Sequence, residues 1–143
     1  MDLSPTRYAD IVVLAPRGRV DHGSADAFRT AVEPWLTGCR TGGHGLIFDM
    51  MGLDYISSAG LRVLMLASKQ ARPAGGRIAI AALTPLVAEI FKISRFDMVF
   101  PTHPGLDTAL AALSADAAAA HATGSGTAAS PTAGNAAAGG SSS

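Results

Sequence analysis

Residues 53–64 read Leu53-Asp54-Tyr55-Ile56-Ser57-Ser58-Ala59-Gly60-Leu61-Arg62-Val63-Leu64, and this stretch decides the fold. Its first four residues lead into the small residues 57–60, and from there the apolar spacing from Leu61 to about Ala71 predicts a helix stopped by Pro73, Gly75 and Gly76. The same alternation continues on both sides. Upstream, Gly45-Leu46-Ile47-Phe48-Asp49 reads as a buried strand, and Thr37 to Gly43 before it as a loop. Further back, Ile11 to Ala15 is a β-branched strand closed by Pro16 and Gly18, with Tyr8 on a preceding edge strand. Ser24 is placed to cap a helix with Asp26 in its first turn and Ala27, Phe28, Ala31, Val32 and Trp35 at helical spacing. Pro34 predicts a kink or an end near Glu33, because an interior proline loses a hydrogen bond and clashes with the preceding turn. Downstream, Arg77 to Ala81 is a strand, Thr84-Pro85 opens a helix with the stripe Leu86, Val87, Ile90 and Phe91, Met98-Val99-Phe100 is a last short strand, and a helix runs from about Leu106 to Leu113. Short strands alternating with helices of about ten residues predict an α/β fold: a small mixed sheet of four to five strands packed with about four helices.

Composition narrows the function. The 143 residues hold eleven Lys plus Arg against eleven Asp plus Glu, a formal net charge of zero that argues against a nucleic-acid binder. At 48% hydrophobic and 15% charged the chain can build a packed core. Its longest apolar run, Ile78 to Leu83, is far short of the ~20 residues that span a bilayer. The opening MDLSPTRYAD lacks the basic and apolar regions of a secretory signal, so a cytoplasmic location is expected. The lone Cys39 excludes an internal disulfide and a multi-cysteine metal cage.

Residues 114–143 differ from the rest: 26 of 30 are Ala, Ser, Gly or Thr, and Asp116 is the one formal charge. With almost nothing large to bury, this segment predicts a disordered tail behind a folded domain of residues 1–113. Asp116 to His121 has helical composition but lies below the length that holds a helix in water.

Catalytic readings fail on motif. Ser58 with His22 or His44 lacks the G-x-S-x-G elbow of a hydrolase, since no glycine stands two residues before it. His22, His44 and His103 have no metal-ligand spacing, and Gly42-Gly43-His44-Gly45 is not followed by the G-K-[ST] of a phosphate loop. No catalytic residue and no metal site is predicted. The serine pair itself has two readings. One is helix capping, for which a single serine suffices. The other follows from about 100° of rotation per residue, which sets Ser58, Arg62, Met65 and Lys69 on one stripe with Leu66 beside it, while Leu61, Leu64, Ser68 and Ala71 face the sheet. That outer stripe is a candidate docking surface with a modifiable serine at its foot.

The pattern L-x-x-I-S-S-A-G-L-R-V-L resembles the signature of STAS domains, specifically the bacterial anti-sigma factor antagonists. The resemblance extends over about residues 8–113 and includes Gly18-Arg19-Val20-Asp21, Ile47-Phe48-Asp49 and Thr84-Pro85-Leu86-Val87. Many members carry D-S-S-G or D-S-T-G. Registering Gly60-Leu61 on that glycine puts Ser57 at the aspartate position and Ser58 at the phosphoacceptor, with Ser57 the alternative acceptor. Asp21 matches an acidic residue that would orient the acceptor hydroxyl.

The resemblance implies a STAS fold and a partner switch without catalysis by this chain. The unphosphorylated form would bind an anti-sigma factor that is also a serine kinase, freeing a sigma factor. That kinase would use its own ATP and Mg²⁺ to phosphorylate Ser58, with Asp21, Ser57 and Gly60 around the site and Arg62, Met65, Leu66 and Lys69 in the interface. A serine phosphatase would reset the switch. This chain would carry no cofactor, no nucleic acid and no membrane span. A STAS subunit of a lipid or anion transport complex, or another STAS signalling module, is the alternative.

Overall fold

Ile11-Val12-Val13-Leu14 is buried at every residue and forms the second strand of a central sheet. The computed structural model describes residues 1–131. Along them run β1 (Thr6–Tyr8), β2 (Ile11–Leu14), β3 (Gly18–Val20), α1 (Ala25–Leu36), β4 (Gly45–Asp49), β5 (Leu53–Ile56), α2 (Ser58–Ala71), β6 (Ile78–Ala81), α3 (Pro85–Ile93), β7 (Thr102–His103), α4 (Leu106–Leu113), α5 (Ala115–Ala122) and β8 (Thr127–Ala128). Six strands form one mixed sheet in the order β7-β6-β4-β2-β1-β8. Within it β7, β6, β4 and β2 are parallel, while β1 pairs antiparallel with both β2 and β8. The remaining two, β3 and β5, make a separate parallel ribbon. The α/β reading holds, and the strands beyond those anticipated, β5 among them, are two to four residues long, too short for periodicity to register.

Strand alternation divides the core in two. Val12, Leu14, Leu46, Phe48, Ile78 and Ile80 point to one face, where Phe28, Val32, Trp35 and Leu36 of α1, Leu61, Leu64 and Ala67 of α2, and Val87 and Phe91 of α3 cover them. Ile11, Val13, Ile47, Ala79 and Ala81 point to the other, under Ala109 and Leu110 of α4 and Ala117 of α5. The small Ala79 and Ala81 let α4 lie close to the sheet.

Four expectations are corrected. First, α1 runs through Pro34 to Leu36, because Trp35 and Leu36 are buried in the core and hold the last turn, while Pro34 faces solvent. Second, the strand expected at 98–100 is displaced. Arg95 adopts φ 62°, and a 3-10 turn at Phe96–Met98 stacks Phe96 between Phe91 and Phe100 at 5.8 and 6.2 Å, which leaves the strand to Thr102–His103. Third, Leu86 is 55% exposed, so α3 buries Val87 and Phe91 instead of the full stripe.

The fourth concerns the start of the tail. Ser114 caps α5 by accepting from Ala117 N at 3.1 Å, and its hydroxyl donates to Asp10 Oδ1 at 2.5 Å. Ala117 is fully buried, the Tyr8 and His121 rings meet edge-on at 5.2 Å, β8 pairs with β1, and Ala129 N donates to Pro5 O. The ordered unit therefore runs past residue 113. A composition count misses this because alanine contributes little area yet fits closely against an apolar sheet face. Residues 132–143, the rest of the predicted tail, lie outside the described residues.

Candidate functional site

The site is built where the β3–β5 ribbon hands over to α2. Parallel pairing sets Arg19 opposite Tyr55 and Val20 opposite Ile56, and the Arg19 guanidinium carbon lies 4.5 Å from the centre of the Tyr55 ring. Ser57 N then donates to Val20 O at 2.7 Å, a bond that continues the ribbon by one residue. Ser57 is extended at φ −85° and ψ 172°, and its Oγ accepts from Gly60 N at 3.2 Å. This is N-cap geometry: a side-chain oxygen satisfies one of the orphan donors of the first turn. Ser57 is only 2% exposed, so the capping serine is the inner one.

Gly60 allows this close approach. A Cβ there would meet Ile56 Cγ1 and Val20 Cγ1 at 2.7 Å each, so only glycine lets the first turn of α2 rest on both strands of the ribbon. Ser58, the first residue of the helix, is exposed, and its hydroxyl makes no hydrogen bond to any described residue. One serine builds the turn and the next faces solvent.

The acid implied beside the acceptor is engaged elsewhere. Asp21 Oδ1 accepts from Ser24 N at 3.0 Å and from the Ser24 hydroxyl at 3.1 Å, while Ser24 Oγ accepts from Asp21 N at 3.0 Å. The Ser24 hydroxyl, and then its N–H, hold the Asp21 carboxyl below its usual pKa. This closed loop also explains why Ser24, at the N-cap of α1, makes no side-chain capping bond. Asp21 follows the residue that accepts from Ser57 N, yet it makes no hydrogen bond to Ser58. Thr84 behaves similarly: its hydroxyl donates to Leu53 O at 2.8 Å, tying the start of α3 to β5 instead of capping the helix.

Along α2 the two stripes separate as the spacing predicts. Leu61, Val63, Leu64, Ala67, Ser68 and Ala71 are buried; Arg62, Leu66 and Lys69 are exposed and Met65 is half-buried. Ser58, Arg62, Met65, Leu66 and Lys69 thus share one outer face, and Leu66 is 50% exposed. Sequence reasoning missed the Arg19–Tyr55 pair, since only the register between β3 and β5 brings the two together.

The other polar residues are held structurally. His44 Nε2 hydrogen-bonds Trp35 O at 2.8 Å, and burial keeps its pKa below the ordinary value. Cys39 is buried, and burial pushes its thiol up to about 11, away from the thiolate that nucleophilic chemistry needs. Among the described residues no three His, Cys, Asp or Glu side chains cluster as metal ligands, and no helix is long and apolar enough to cross a membrane.

Comparison with known proteins adds to this geometry. The STAS domain family model matches residues 3–109. A protein of Bordetella bronchiseptica, BtrV, named as a candidate anti-sigma factor antagonist, is 44% identical over 112 residues, which are 78% of this chain and 94% of that one. The fold is similar to an anti-sigma factor antagonist from Mycobacterium paratuberculosis, with a TM-score of 0.68 at 22% identity over 76% of this chain and 90% of that chain. It is also similar to a sulfate transporter family protein from Wolinella succinogenes, with a TM-score of 0.61 at 15% identity over 73% and 84% of the two chains. At such identities the likeness carries the fold alone, and this fold serves more than one function.

Proposed function

The chain belongs to the STAS domain family, and from that membership we propose that it is an anti-sigma factor antagonist working by phosphorylation-controlled partner switching. The unphosphorylated protein binds an anti-sigma factor that is also a serine kinase, and the sigma factor is freed. Phosphorylation of Ser58 by that kinase, with the kinase's ATP and Mg²⁺, releases the complex, and a serine phosphatase restores the binding form.

The observation that carries this reading is the division between the two serines. Ser57 is buried and caps the helix, whereas Ser58 is exposed and makes no internal hydrogen bond, so it can be modified without unbuilding the turn. A phosphate brings about −1.5 to −2 charges, which a helix N-terminus tolerates. A close-packed partner does not tolerate them, because the dianion must be desolvated on contact. Leu66 and Met65 supply the apolar centre such a contact needs, with Arg62 and Lys69 as its charged flank.

The test uses purified anti-sigma factor and full-length chain. Incubation with ATP should add one phosphate, mapped to Ser58 by mass spectrometry, and Ser58→Ala should abolish it. In titration calorimetry Ser58→Ala should bind constitutively, Ser58→Asp more weakly, and the phosphorylated protein most weakly of all. Leu66→Ala should cost roughly 1–3 kcal/mol of binding if it is an anchor. Equal affinities for wild type, Ser58→Asp and phosphorylated protein would overturn the switch and favour a subunit of a transport complex.

A further inference from the structure

A cavity of about 240 Å³ opens at the far end of α2, about 15 Å along the helix from Ser58, and is lined by Ser68, Arg72, Arg77, Ile78, Phe100 and Leu113 among others. Three features make it a candidate ligand site. Ser68 is 4% exposed, and its hydroxyl, which keeps access to solvent, makes no hydrogen bond to any described residue. A serine on a helix can donate to the carbonyl four residues back, as Ser94 at the C-cap of α3 does to Ile90 O at 2.6 Å. Arg72 stands one turn beyond Ser68 on the same helix face, and its guanidinium is anchored on Val99 O. Arg77 closes the opposite side, anchored on Leu113 O and 3.4 Å from Asp10 Oδ2.

The charges define what fits. Two guanidinium groups, one of them partly neutralised by Asp10, leave about one positive charge for a monoanion, and their remaining N–H groups suit planar carboxylate oxygens. The partial negative charge at the end of α2 is already met, since Gly76 N donates to Ala71 O and Gly75 N to Arg72 O. Ile78, Phe100 and Leu113 form an apolar wall, and the volume lies below the ~300–1,000 Å³ of drug-sized pockets. We propose that this cavity binds a small organic carboxylate with a short apolar body, its carboxylate held by Arg72, Arg77 and the Ser68 hydroxyl. The site is separate from the Ser58 face and does not rest on the function proposed for it.

Hexanoate is the probe, with hexan-1-ol, hexylamine and inorganic phosphate as comparators, titrated into full-length protein by amide-resolved NMR and thermal melting. Hexanoate should give saturable shifts confined to the amides of Ser68, Arg72, Arg77 and Ile78 and should raise the melting temperature. Arg72→Gln should weaken binding about tenfold or more, with an amide spectrum that shows the fold retained, and Ser68→Ala should weaken it a few-fold. Absence of saturation at millimolar hexanoate, equal binding of hexan-1-ol, hexylamine or inorganic phosphate, or an affinity unchanged in Arg72→Gln would each overturn the proposal.

Discussion

Replacing Gly60 by alanine should destabilise the fold through two identified contacts. The added Cβ would lie 2.7 Å from both Ile56 Cγ1 and Val20 Cγ1, roughly 1 Å inside ordinary carbon contact. Both neighbours are β-branched side chains on buried strand positions, Val20 at 0% and Ile56 at 1% exposure, so neither can swing away. Overpacking of this kind costs about 1–3 kcal/mol. Alanine's higher helix propensity would return up to about 1 kcal/mol in a helix interior, and less in the first turn where residue 60 sits. The net expectation is a loss of about 1–2 kcal/mol, read as a lower urea midpoint at unchanged m-value. Val20→Ala removes one of the two colliding atoms. In a double-mutant cycle the Val20→Ala/Gly60→Ala protein should therefore be more stable than the sum of its single changes, by about 0.5 kcal/mol or more. A Gly60→Ala protein as stable as wild type, or strict additivity in the cycle, would refute the close-approach argument.

Three further outcomes are expected. Ser57→Ala should lose about 1 kcal/mol of unfolding free energy with its capping bond, while Ser58→Ala should stay within about 0.5 kcal/mol of wild type; the reverse order in chemical denaturation would misplace the cap. A chain ending at Leu113 should be less stable by about 2–3 kcal/mol, since it loses the Ser114–Asp10 bond and the cover that Ala117 gives the second core face; an unchanged melting temperature would return residues 115–129 to the tail. Burial holds His44 below its ordinary value of 6.5, so the unfolded chain binds more protons as the pH falls through that value. Stability should therefore be lost on acidification through about pH 6.5, and His44→Gln should flatten that slope in pH-dependent urea melts followed by Trp35 fluorescence.

The sequence was legible where a pattern exceeded the length of one turn or strand. The apolar runs at 11–14, 45–49 and 78–81, the stripes of α2 and the Thr84-Pro85 helix start all appear where spacing puts them. Reading failed where long-range packing decides. Pro34 stays helical because two buried side chains follow it, Phe96 replaces a strand by stacking on residues near and far, and an alanine segment orders because a sheet face awaits it. At the site, spacing identified the outer face of α2 and narrowed the cap to two serines. It could not tell which serine turns inward, because that depends on the Val20 carbonyl brought in by strand pairing. Nor could it see that Asp21 closes on Ser24.

Among the described residues the two outermost strands of the sheet, Thr102–His103 and Thr127–Ala128, are each two residues long. A free sheet margin is a template on which another chain can add itself, and the hazard grows with the number of consecutive unpaired amides on offer. Here β8 covers the outer side of β1, so each margin ends in a stub that offers an incoming strand little to grip. The two-residue β8 thus leaves a shorter free margin than the three-residue β1 it covers. Its removal would bare the margin of β1 and should lower the concentration at which the protein stays unassociated, alongside the loss of stability.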